Sequence, residues 1–265
     1  MSIFKKPINS QNYSLFFSIC ILVSLASLLA PNASAQQTLL WSNNGTNSGW
    51  DGQVGYTGGY SVTGGKLKMY LPRSSGKHRG DKRKYNVGGS NLNNKTIKYT
   101  FQLRSPSLIE MRNRDMNCWY FQSMMEATFS GNRIWKPLVA LTYNGVNDDW
   151  ELNTYSGSMQ QGPVRRWYSL GGSASSDNNQ VINWAVEVKY RTNNTGYVFV
   201  WRNGTRVLDQ RNIPTYFNDA TNATIERSHA GWMHYLVKVQ GERWGSPQVG
   251  SVTAYFDNFR VYRVN

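Results

Sequence analysis

Tyr197-Val198-Phe199-Val200-Trp201 and Thr205-Arg206-Val207-Leu208 flank Arg202-Asn203-Gly204. Two runs rich in β-branched and aromatic residues on either side of Asn-Gly read as a β-hairpin, because Asn and Gly accept the positive φ angles of a tight turn. The same texture extends in both directions. Upstream, Trp184, Val186, Val188 and Tyr190 alternate with Ala185, Glu187 and Lys189, and Ile97, Tyr99, Phe101 and Leu103 alternate with Lys98, Thr100 and Gln102. A period of two gives each run one core face and one wetter face. Downstream, Val252–Phe256 and Phe259–Tyr262 close the chain, with a bulge or turn expected at Asp257-Asn258. No amphipathic helix of three turns, internal repeat or Pro-rich linker interrupts the pattern, and 171–179 is a polar loop. The expected fold is all-β: one antiparallel β-sandwich or jelly roll of the concanavalin-like kind.

The N-terminus carries a different signal. Lys5 and Lys6 precede the apolar stretch Leu15–Ala30, and Ala33-Ser34-Ala35 supplies small residues at the spacing a signal peptidase needs. Residues 1–35 are therefore expected to be a signal peptide and 36–265 a single jelly-roll domain, secreted or periplasmic. No second long apolar run follows, so no membrane span is expected after cleavage. Cys20 leaves with the leader. Cys118 is then a lone thiol, read as a small buried hydrophobe, and neither an internal disulfide nor a cysteine metal cluster is available.

Charge narrows the partners. The 29 Lys and Arg stand against 15 Asp and Glu, a formal +14, which becomes +12 once Lys5 and Lys6 are removed. Such a surplus attracts polyanions. For an exported protein the classes are acidic polysaccharide, anionic envelope lipid and extracellular DNA. No nucleic acid is obligatory, and a monomer is expected.

Three segments have the residue types for chemistry. Between Lys66 and Tyr85 lie Lys66, Lys68, Arg73, Lys77, His78, Arg79, Lys82, Arg83 and Lys84, with Asp81 the only acid. Arginine forks match carboxylate and sulfate oxygens, and lysines add point charges. In Cys118–Glu126, strand alternation puts Trp119, Phe121, Ser123 and Met125 on one face, read as core. Tyr120, Gln122, Met124 and Glu126 take the other, which can line a groove. In Ser228–Lys238, Trp232, His234, Leu236 and Lys238 share a face opposite Tyr235, Val237 and Val239. Trp can stack on a sugar ring, His or Tyr can move a proton, and Lys can hold an acidic ligand. Motifs for other chemistries are absent. There is no E-x-D-x-x-E strand of paired carboxylates, G-x-S-x-G, H-E-x-x-H or P-loop.

Across Trp41–Tyr262 the order of segments resembles the jelly-roll polysaccharide lyases of the heparin-lyase type, with their alginate and glucuronan lyase relatives. The matching stretches are the basic strand near Arg79–Tyr85, Thr96–Leu103 leading into Trp119–Gln122, Pro137–Leu141, Trp184–Val188, Gly196–Gly204 and Ala254–Val261. The resemblance implies cleavage of a uronate polymer by β-elimination without an obligatory metal or other cofactor. It implies His234 or Tyr235 as base or acid, with Gln122, Arg79 and Lys238 neutralising the uronate carboxylate and Trp232 stacking on a ring. Arg83, Lys82, Lys66 and Lys68 would add substrate contacts, and His78 with Tyr85 form a reserve acid–base pair. The chain departs from the family pattern at three places. Met124 stands where Gln-x-His would place the histidine. His234 and Lys238 replace the C-terminal Tyr-x-Lys-x-Gly-x-Tyr. The Arg-x-Glu of the basic strand lacks its Glu. A lectin-like binder of the same fold is the runner-up reading, and a charge-driven binder of extracellular DNA or envelope polyanion the third.

Overall fold

The Asn203-Gly204 hairpin forms as its residues dictate: φ is 50° and 84° at the two positions, and pairing resumes at Arg202 opposite Thr205. The structure is a computed structural model and describes residues 35–56, 59–71, 79–237 and 251–265. Its strands are β1 (Gln37–Asn43), β2 (Gly52–Tyr56), β3 (Gly59–Thr63), β4 (Lys66–Leu71), β5 (Arg79–Tyr85), β6 (Thr96–Arg104), β7 (Asn117–Phe129) and β8 (Asn132–Asn144). They continue as β9 (Asp149–Ser158), β10 (Gly162–Ser169), β11 (Val181–Lys189), β12 (Gly196–Arg202), β13 (Thr205–Ile213), β14 (Thr224–Val237) and β15 (Val252–Val264). One short helix, α1 (Leu108–Met111), sits between β6 and β7.

Two antiparallel sheets result. The first runs β13-β12-β11-β6-β15-β4-β3, with β1 also paired to β15; the second runs β10-β9-β8-β7-β14-β5-β2. Alternation builds the layer between them. In β6 the odd residues Ile97 to Leu103 are buried and the even ones half-buried. Aromatic pairs cross the layer: Phe101–Phe121 at 5.2 Å, Trp150–Trp184 at 5.3 Å and Trp232–Phe256 at 5.4 Å. Each such pair adds about 0.5–1.5 kcal/mol beyond the area it buries. Ser123, polar and wholly buried, accepts from the hydroxyls of Tyr99 at 3.2 Å and Tyr190 at 3.0 Å, so both phenol hydrogens have an acceptor. Cys118 is a free, buried thiol, its pKa pushed up to about 12 by burial. Asp257-Asn258 is a bulge within β15, not a turn: the register against β6 shifts between Asp257 and Arg260, and Asn258 takes φ 51°.

Candidate functional site

The second sheet turns its outward side, away from the core, into a dense polar surface. A ladder row crosses all seven strands as Gly52, Arg83, Gly231, Gln122, Ala140, Asn153 and Trp167. Arg83 and Gln122 are therefore separated by a glycine. A side chain at Gly231 would meet the Lys82 carbonyl oxygen at 1.8 Å, so this position admits only glycine, and no side chain stands between the guanidinium and the amide. Gln122 is 2% exposed, and its Nε2 has no protein partner.

His229 lies one step along β14 on the same side, opposite Met124 of β7 and Tyr85 of β5. It is 2% exposed, and both ring nitrogens lack a protein partner. Burial, then the charges of Arg83, Arg79 and Arg227, hold its pKa down at about 3, so the ring is neutral at neutral pH.

Two arginine–carboxylate–arginine groups frame that ring. Arg79 and Arg83 both donate to Oδ2 of Asp81, at 2.8 and 2.7 Å through their Nη2 atoms. The three alternate along β5, which puts them on one face. Arg227 donates to Glu126 at 2.6 Å, and Arg133 pairs with the same carboxylate. In each group one acid offsets one of two cations, so each retains a net positive charge. Trp135 of β8 links them, its ring 5.1 Å from the Arg83 guanidinium, 5.5 Å from that of Arg133 and 6.4 Å from His229. With strands about 4.8 Å apart, a contact between β8 and β5 spans three strand steps, and Trp135 roofs the histidine.

Away from His229, Tyr235 and Trp119 face each other across β14 and β7, and Arg79 lies 5.4 Å from the Tyr235 ring. Beyond them a cavity of ≈ 190 Å³ is lined by Asn117, Asn144, Glu151, Arg165 and Trp167 among others. Burial raises the Glu151 carboxyl above its usual range, opposed by the Asn144 amide, which donates to it at 2.7 Å. No group of three His, Cys, Asp or Glu side chains able to hold a metal occurs among the described residues.

Of the residues singled out from sequence, Gln122, Arg79, Arg83, Tyr85 and Tyr235 come together here. Others do not. His234 and Trp232 belong to the core. His234 is wholly buried and stacks on Tyr120 at 5.7 Å, while Trp232 packs on Trp50, Phe256 and Phe259. Trp232, His234 and Leu236 share a face of β14, but it is the buried one, because that face has more apolar area to remove from water. Tyr120 also turns inward: a register shift at Trp119–Phe121 sends two consecutive residues to the core and Trp119 outward. Lys82 is 3% exposed on the opposite side of β5 from Arg83, its Nζ 4.6 Å from the Tyr60 ring. Lys66 and Lys68 are on β4, in the first sheet, so the basic segment is divided between two sheets. His78 and Lys238 lie outside the described residues.

His229, Arg227, Arg133 and Trp135 were missed as site residues. The parity of β14 carries the signal: Arg227, His229, Gly231 and Tyr235 are all odd-numbered, and Trp232 and Leu236, even-numbered, mark the buried side.

No helix among the described residues is long and apolar enough to cross a membrane. The chain is similar in fold to the endo-β-1,4-glucuronan lyase of the fungus Trichoderma reesei, with TM-score 0.63 and 17% identity over 84% of this chain and 95% of that one. It is also similar to the PL-14 alginate lyase of Aplysia kurodai, with TM-score 0.54 and 11% identity over 84% and 98%. No curated protein sequence matches it. The profile described as "Polysaccharide lyase" matches residues 42–260, which take in both sheets and every residue of the outward surface, and the chain belongs to the polysaccharide lyase family.

Proposed function

We propose that the outward surface of the second sheet binds an acidic, uronate-containing polysaccharide and cleaves it by β-elimination. One observation carries this reading: a neutral, buried imidazole without a protein partner stands among three arginines, beside an unpartnered glutamine amide. Buried donors and acceptors are ordinarily satisfied, so an open set of this composition favours a ligand with an anionic carboxylate and ring hydroxyls. The substrate class rests on these groups, not on the neighbours in fold.

In the proposed reaction the uronate carboxylate lies over Gly231, between Arg83 and Gln122. Arg83 and Gln122 hold it there, and its charge is neutralised as the C5 proton acidifies. His229 takes that proton. The C5–H electron pair becomes the C4–C5 double bond, the bond from C4 to the bridging oxygen breaks, and Tyr85, the cross-strand partner of His229 with its ring 5.9 Å away, returns a proton to the leaving oxygen. Burial is the main reason that His229 resists a proton and the arginine charges are the second; the incoming carboxylate offsets the second. Tyr235 is less suited to the donor role, because it lies six residues from His229 along β14, roughly 20 Å at ordinary strand rise.

The same reading makes residues 1–35 a cleaved leader, 36–265 one exported domain, and the working form a monomer. Incubation with a panel of uronate polymers tests the chemistry. Ultraviolet absorbance of the conjugated double bond is expected to rise with at least one of them. Binding to those polymers with no absorbance from any of them would replace the lyase with a lectin on the same surface. Retention set by charge alone, equal for DNA and uronate polymers, would replace both.

A further inference from the structure

The first sheet also has an outward side, and the reaction proposed above does not use it. One ladder row there runs Arg260, Thr100, Ala185 and Trp201 across β15, β6, β11 and β12. The two small residues leave a trough between a guanidinium and an indole three strand steps apart, roughly 14 Å at ordinary strand spacing. Cavities of ≈ 240 and ≈ 370 Å³ occupy it and share Thr100 and Asn183 in their linings. The Gln102 amide donates to Asn183 at 2.9 Å along one margin. Lys98 lies over the Trp201 ring at 4.7 Å along the other. Neither Lys98 nor Arg260 has a salt-bridge partner among the described residues, and Arg260 is exposed.

We infer that this trough is a second, non-cleaving site for an anionic polysaccharide chain, on the sheet opposite the lyase surface. A half-buried indole beside small side chains gives a sugar ring a flat support, paired amides read hydroxyls, and two cations without acidic partners complement carboxylates. The row has no histidine or tyrosine to move a proton, which separates holding from cleaving. The ligand class is the one proposed for the lyase surface. The site itself rests on its own residues.

Gel electrophoresis through alginate, polygalacturonate or heparin, with neutral dextran as control, tests it. Arg260→Glu and Trp201→Ala are each expected to weaken retardation in at least one acidic polymer by roughly threefold, the scale of a single exposed contact. They should do so by the same factor in the wild-type and His229→Ala backgrounds, with migration in dextran unchanged. Unaltered retardation in both variants overturns the site, and so does a loss seen only where His229 is intact. Arg260→Glu changes an exposed side chain, so it stays informative if Trp201→Ala misfolds. Absence of the elimination chromophore in wild-type protein sinks the lyase reading and leaves this comparison untouched.

Discussion

His229 and Met124 are direct cross-strand partners on β14 and β7, and both project to the outward side of the second sheet. The thioether gives the imidazole no strong hydrogen-bonding partner, and the ring nitrogens are left open. Gln122 is two residues from Met124 along β7 and therefore shares its face. Where the family pattern puts glutamine and histidine on one strand, this chain brings the amide from β7 and the imidazole from the strand beside it.

That relationship gives the first prediction. His229→Ala should lower the rate of elimination by about 10²–10⁴-fold, the usual loss of a positioned acid–base group. Polymer binding should stay close to wild type, because Arg83, Arg227 and Gln122 remain. Stopped assays for the unsaturated product, run beside retention on an acidic-polysaccharide column, separate the two effects. Full activity in His229→Ala would return the base to Tyr235 or Tyr85.

Asp81 should matter more for stability than either arginine it receives. Its carboxylate is fully buried and accepts from both Arg79 and Arg83. Asp81→Ala leaves Arg83, itself 3% exposed, buried without its counter-ion, and breaking a buried pair in this way typically costs about 3–5 kcal/mol. Arg79→Ala removes a more exposed partner and leaves the Asp81–Arg83 pair intact, so its cost should stay below about 1 kcal/mol. Urea unfolding of the two variants measures the difference, and equal midpoints would contradict the shared-carboxylate account.

Much of the fold was legible because period two is a local property. The Asn203-Gly204 turn, the alternation of Ile97 to Leu103 and the irregularity at Asp257-Asn258 each depend on neighbours in sequence. The site was legible only in part. Gln122, Arg79, Arg83 and Tyr235 came from residue type and segment order. His234 was preferred to His229 because it stood beside Trp232 and Lys238 on an alternating run. Which face of β14 turns inward is decided by the first sheet, where Phe256 and Phe259 receive Trp232. Trp135 and Arg133 come from β8, the far side of β7 from β14, and no local pattern links them to His229.

Tyr235→Phe and Tyr85→Phe should differ. Tyr235 is half-buried beside Trp119 and Arg79, six residues along β14 from His229 and roughly 20 Å away at ordinary strand rise. Its phenylalanine variant should stay within about tenfold of wild type, short of a proton donor's loss. Tyr85 lies 4.4 Å from the Arg227 guanidinium, and its ring is 5.9 Å from that of His229. A phenyl ring preserves both contacts and removes only the hydroxyl, so Tyr85→Phe should lose about 10²-fold or more in kcat with KM little changed. Steady-state kinetics on one polymer decides it, and the reverse ranking would move the donor to Tyr235.

The two buried histidines make the fold sensitive to acid. His229 and His234 each have a pKa lowered from 6.5 to about 3; for both, burial is the main cause. The unfolded chain regains the ordinary value, so between these limits it binds more protons than the folded one. Stability then rises with pH wherever the unfolded state holds the extra proton. Each histidine's contribution is complete above about pH 6.5 and is lost as pH falls toward about 3, with a limiting slope of about 1.4 kcal/mol per pH unit. Thermal unfolding should show Tm falling across that window. His234→Phe keeps an aromatic ring against Tyr120 and removes one titrating group, so it should roughly halve the slope that the two histidines supply. His229→Gln removes the other and should leave the His234 share intact. A pH profile identical in wild type and His234→Phe would mean that His234 gains its proton without unfolding the sandwich.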